Sequence, residues 1–75
     1  MTTKNKAQLL TEIGNRIRLK REEKNLSQQD LAAFCNFEKT NMSRLEAGRT
    51  NPTISTLFKI SQALGIKLVD LLDVE

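Results

Sequence analysis

The sequence has no histidine and a single cysteine. The side chain that titrates most readily near neutral pH is therefore missing, along with the commonest metal ligand. One cysteine excludes an intramolecular disulfide. No glycine-rich phosphate loop and no cluster of metal-ligating residues occurs, and the carboxylates are scattered singly. Together these absences exclude the usual arrangements of an enzyme site. We expect no catalysis, no metal and no other cofactor. No apolar run approaches the roughly 20 residues of a membrane span, and no apolar segment follows the N-terminus. The expectation is a soluble, cytoplasmic protein without a membrane partner.

What remains is 75 residues with a formal net charge of +3. That is enough for one small domain with a modest core. Residues 1–6 are polar and capless and are expected to form a flexible tail, with one domain over 7–75. Lys4 and Lys6 could touch phosphate, although a frayed end is the simpler reading. Residues 1–24 carry seven Lys or Arg against three acids, and residues 65–75 carry Lys67 against Asp70, Asp73 and Glu75. One end is drawn to polyanions and the other is not. The choice is between a DNA pole opposite a protein-contact pole and a solvated surface with chance asymmetry.

The chain reads as five helices. The first runs from about Ala7 to Lys24, with Leu9, Ile13 and Ile17 spaced by four as its buried stripe. The same spacing continues to Arg21, a charge that is costly to bury unless paired. Glu46, beside Leu45, is available as a partner; the alternative is Arg21 reaching out to solvent. Ser27 is a good N-cap for helix 2, roughly Gln28–Cys35, and Asp30 suits its first turn. Leu31, Ala32 and Cys35 share one face, so Cys35 reads as core. Asn36 can enter the left-handed region and redirect the chain through Asn36-Phe37-Glu38. Helix 3 spans about Lys39–Ala47 and ends at Gly48. Met42 and Leu45 face inward, and Lys39, Thr40, Asn41, Ser43 and Arg44 lie opposite. Those side chains suit base edges and phosphates in a major groove, or simply water. Pro52 bars helix 3 from continuing. Helix 4 follows Thr53 over Ile54–Leu64, with Leu57, Ile60 and Leu64 inward, and Gly65 caps it. Helix 5 is about Leu68–Leu72.

In order, Leu26-Ser27-Gln28, Asp30-Leu31-Ala32, Met42-Ser43-Arg44-Leu45-Glu46 and Gly48 occur. Pro52, Leu57, Ile60, Ala63-Leu64-Gly65-Ile66 and Leu71-Leu72 follow. This set resembles the helix-turn-helix of the Cro and lambda-repressor-like, xenobiotic-response-element family, over about Ile13–Leu72. The resemblance implies an all-α, compact five-helix domain with helix 3 as recognition helix. It implies a sequence-specific regulator of transcription, of repressor or controller type, that binds double-stranded DNA at a palindromic operator. Bacterial or phage origin goes with it. On that reading we expect base contacts from Lys39, Thr40, Ser43 and Arg44, and phosphate contacts from Gln28, which the family uses that way, and from Asn41, Arg49 and Thr50. The resemblance also implies an Arg21–Glu46 ion pair. The alternative function is an antitoxin-like interaction module that mainly sequesters a partner protein.

Glu38 and Phe34 depart from the family pattern. Glu38 opens the recognition helix where Ser or Thr is usual, and Phe34 stands where a polar residue is expected. Near the C-terminus, six of the nine residues from Ile66 to Val74 are apolar. With Leu68, Leu71 and Leu72 inward, Ile66, Val69 and Val74 are left outward. The family's short controller proteins dimerise through this end, so these three are the expected homodimer interface. The alternative is that all six complete a monomer's core.

Overall fold

The computed structural model describes residues 5–74. It consists of α1 (Lys6–Glu23), α2 (Gln28–Phe34), α3 (Lys39–Glu46), α4 (Ile54–Leu64) and α5 (Leu68–Leu72). The described residues form no strand, and none of their helices is long and apolar enough to cross a membrane. The expected flexible tail lies outside the described residues for positions 1–4. Its last two residues are a correction. Asn5 is the N-cap of α1: its Oδ1 accepts from the Gln8 N–H at 2.8 Å, and its own N–H donates to Gln8 Oε1 at 3.0 Å. This reciprocal capping box starts the helix at Lys6.

The core is built from one apolar stripe per helix. Ile17, Leu31, Cys35, Met42, Ile60 and Leu71 are fully buried, with Ile13, Ala32, Leu45, Leu57, Leu64 and Val74 around them. Two expectations about faces fail. Leu9 is 39% exposed, because the first turns of α1 run beyond the elements that cover Ile13 and Ile17. Val74 is 8% exposed and belongs to the core rather than to an outward face. The reason is local: the helix stops at Leu72, Asp73 leaves helical geometry, and the Val74 N–H donates to the Leu72 carbonyl at 2.9 Å. That tight turn folds Val74 back inward. Ile66 is half-buried against the core, and Val69 is exposed.

The first four helices end in the same way. Asn25, Asn36, Gly48 and Gly65 all have positive φ, between 58° and 74°. After each, the next N–H reaches back five residues: Leu26 to Arg21, Phe37 to Ala32, Arg49 to Arg44 and Ile66 to Ser61. This is the Schellman arrangement, which satisfies the last carbonyls of a helix while turning the chain.

Two glycines set how closely α1 and α3 approach. Gly14 is buried in mid-helix, and a Cβ there would lie 2.5 Å from both the Leu45 and Glu46 carbonyl oxygens. A Cβ on Gly48 would meet the Thr11 backbone at 2.8 Å. The two helices therefore touch backbone to backbone. Gly14, Ile17 and Arg21 follow i, i+3, i+7 spacing and share that face. Gly14→Ala should gain helix propensity yet still lose stability, by about 1–3 kcal/mol, because rigid carbonyls must move. Thermal melting checks this; a variant as stable as the parent would mean that the helices separate at no cost.

Candidate nucleic-acid interface

The interface begins with a buried charge. Arg21 is 8% exposed and Glu46 5%. Arg21 Nε donates to Glu46 Oε2 at 2.6 Å, and Nη2 to Oε1 at 3.0 Å. The third branch of the guanidinium, Nη1, donates to the Leu26 carbonyl at 2.7 Å. Gln28 Nε2 completes the group by donating to Glu46 Oε1 at 3.0 Å. Hydrogen bonding to Glu46 holds the Arg21 pKa above its already high ordinary value, so the cation persists. This network ties α1, the α1–α2 turn and the first residue of α2 to the last residue of α3.

The helix-turn-helix itself is shaped by its caps. Ser27 Oγ accepts from the Asp30 N–H at 3.0 Å, and Asp30 Oδ2 accepts from the Ser27 N–H at 3.0 Å. The Ser27 backbone and hydroxyl hold the Asp30 carboxyl below the usual carboxylate range. In the turn, Lys59 Nζ sits 5.4 Å from the Phe37 ring centre, a cation–π contact that fastens the joint to α4. Burial pushes the Cys35 thiol pKa up, so it stays protonated and inert. Glu38 makes no side-chain cap at the start of α3. Its carboxylate is on an exposed residue beside Lys39.

With the C-terminal end of α3 pinned, its outer face is presented to solvent. Lys39, Thr40, Ser43 and Arg44 are exposed and together line one shallow depression. Asn41 and Thr50 line a neighbouring groove with Phe37, Leu45, Asn51, Pro52, Thr53 and Thr56. Arg49 is exposed at the end of α3. The structure adds detail at two of the expected phosphate contacts. Gln28 spends one amide hydrogen on Glu46, which leaves one for an outside acceptor. The Thr50 hydroxyl oxygen is buried and finds no hydrogen-bond partner among the described residues. In this rotamer it is not offered to phosphate.

Several features were not read from the sequence. Gly14 is one of them, and a glycine inside a helical stretch was the available signal of a close approach. Ile54 and Phe58 are 62% and 50% exposed, one turn apart on the outer side of α4; their spacing of four was a readable signal. Phe34, whose environment was open, is 66% exposed. Arg16 donates from Nε and Nη2 to the Asp70 carbonyl at 3.0 and 2.8 Å, a contact across 54 residues that no local pattern reveals.

A helix-turn-helix family model matches residues 17–71. The control protein C.BamHI of Bacillus amyloliquefaciens is 38% identical over 61 residues, covering 80% of this chain and 75% of that protein. Among solved structures, the restriction–modification controller protein C.AhdI from Aeromonas hydrophila superposes with a TM-score of 0.81 at 31% identity. The match covers 83% of this chain and 94% of that one. The master regulator for biofilm formation SinR, in complex with DNA, superposes with a TM-score of 0.75 at 39% identity, covering 81% and 98%.

Glu46→Ala should strand Arg21 and Gln28 without their acceptor. Removing one partner of a buried pair costs about 3–5 kcal/mol. The urea midpoint should fall with the slope unchanged. An unmoved midpoint would show that the pair does not hold α1 to α3.

Proposed function

The chain belongs to the helix-turn-helix family of transcription regulators, and on that footing we propose that it binds duplex DNA sequence-specifically as a homodimer on a palindromic operator. Its place of action is the cytoplasm of a bacterium or of a phage host. The observation that carries this reading is the α3 face. Four exposed side chains of base-reading chemistry surround one depression, on a helix whose far end is locked by a buried ion pair.

In this reading α3 enters the major groove, and Lys39, Thr40, Ser43 and Arg44 meet base edges. Arg44 has the fork and the reach for a bidentate contact to guanine. Gln28, Asn41 and Arg49 position the protein on the backbone, and Thr50 joins them after a rotation about χ1. A phosphate oxygen would give the buried hydroxyl the partner it lacks.

One recognition helix touches only a few base pairs, so two copies related by a two-fold axis supply the needed selectivity. The surface for the second copy lies on α4 and α5, away from α3. Val69 remains from the expected trio at 61% exposure, and Ile66 flanks it half-buried. Buried Val74 drops out of that surface, and Ile54 and Phe58 join it. Half-sites about 10–10.5 bp apart follow from placing both recognition helices on one face of the duplex.

Selection of bound duplexes from a random pool, repeated across a salt series, tests the reading. A two-fold symmetric motif and affinity falling steeply with salt are expected. A protein-sequestering module would give neither. Arg44→Ala should lose discrimination at one base position, worth about 1–3 kcal/mol. Uniform weakening at every sequence would instead make Arg44 a phosphate contact. Val69→Asp should yield a folded monomer with much weaker operator binding. If that variant sediments as a dimer at the parent's concentration, the interface lies elsewhere.

A further inference from the structure

We infer that Arg16 is a positioning residue that fixes the angle between the recognition helix and the dimer surface, and thereby sets the half-site spacing the protein accepts; the inference rests on the dimer reading above. Arg16 and Arg21 lie five residues apart on α1, about 7.5 Å along its axis. Arg21 grips Glu46 at the end of α3, and Arg16 grips the Asp70 carbonyl in α5. One continuous helix therefore holds both the element proposed to meet bases and α5, one of the two elements proposed to meet the second copy.

α5 needs such a grip. It has five residues, too few to be stable alone. Leu71 and Val74 anchor its depth in the core. Apolar contacts are non-directional, however, and leave its tilt soft. Two N–H groups of a planar fork converging on one carbonyl are directional. That carbonyl has no donor from its own helix four residues on, because the Val74 N–H goes to Leu72 instead. The Asp70 carboxylate accepts from the Lys67 N–H at 3.1 Å, so Arg16 is bound by the backbone and not by that side chain. Exposed Val69, the preceding residue, moves with Asp70.

The functional consequence is geometric. Adding one base pair between half-sites shifts one of them by about 3.4 Å and rotates it by about 35°. A dimer with stiff α5 cannot follow that change, whereas one with slack α5 can. The hydrogen bonds of Arg16 go to Asp70 and not to a proposed DNA-contact residue, so its loss should leave half-site reading intact.

The experiment compares the parent, Arg16→Lys and Arg16→Met. Each is titrated with duplexes carrying the selected half-sites at the preferred spacing and at one base pair more or less. The parent should lose about tenfold or more in affinity at the altered spacings, the size of one spoiled base contact. Both variants should bind a single half-site as the parent does, yet lose most of that spacing preference. Arg16→Lys keeps the charge with a single donor centre, and it carries the test if Arg16→Met fails to fold. A folded, dimeric variant that keeps the parent's spacing preference overturns the role of Arg16 and leaves the dimer reading untouched. A parent that shows no spacing preference, or binds only as a monomer, overturns the dimer reading and this inference together.

Discussion

The Arg21–Glu46 pair is the constraint on which the rest of this small domain depends. Taking two charges out of water costs several kcal/mol per ion, and their attraction repays this only with full hydrogen bonding. Here the bonding is close to complete: Arg21 uses all three branches, and both oxygens of Glu46 accept. Such a pair is a weak source of net stability and a strong source of registry. It allows one arrangement of α1 against α3, and Gly14 brings the helices close enough to make it. An apolar pair of equal volume could fill the same space without specifying which turn of α3 faces outward.

What could be read beforehand was whatever repeats locally. Helices α4 and α5 were legible to the residue, since Thr53, Gly65 and the apolar spacing are all local signals. The closeness of Arg21 and Glu46 was approachable because a charge continuing an apolar stripe demands a partner. The failures share a cause. Val74 lies beyond the end of α5, and the turn that folds it inward is a backbone bond to Leu72 that no side-chain pattern reports. Leu9 continues the stripe but outruns its cover. Asn5 looked like tail because a capping box needs Gln8 to fold back. Gly14, the Arg16–Asp70 contact and the buried Thr50 hydroxyl depend on where distant backbone lies, which no window of sequence contains.

The charge distribution acquires meaning only once folded. Lys39, Arg44 and Arg49 lie on or next to the exposed face of α3, whereas Asp70 and Asp73 belong to the α5 end. In the DNA-binding reading proposed above, the cations of α3 attract a polyanion over about a Debye length, roughly 8–10 Å at physiological salt. Glu38, the exposed N-cap of α3, sets one carboxylate beside Lys39 at the start of that helix.

The four left-handed caps bear on how the chain finds its fold. Each closes a helix through a hydrogen bond spanning five residues, and none requires another helix to be in place. Where to stop is thus encoded locally, so ends need not be searched for during collapse. Helical domains dominated by such short-range contacts fold in about microseconds to milliseconds. The contacts that must wait are the long-range polar ones, across 25 residues for Arg21–Glu46 and 54 for Arg16–Asp70. The caps thus close short loops and the two arginine contacts close long ones, with the larger entropy cost that a long loop carries. The segment that closes the fold is the same one that leaves Val69 exposed, on the surface proposed above for a second copy.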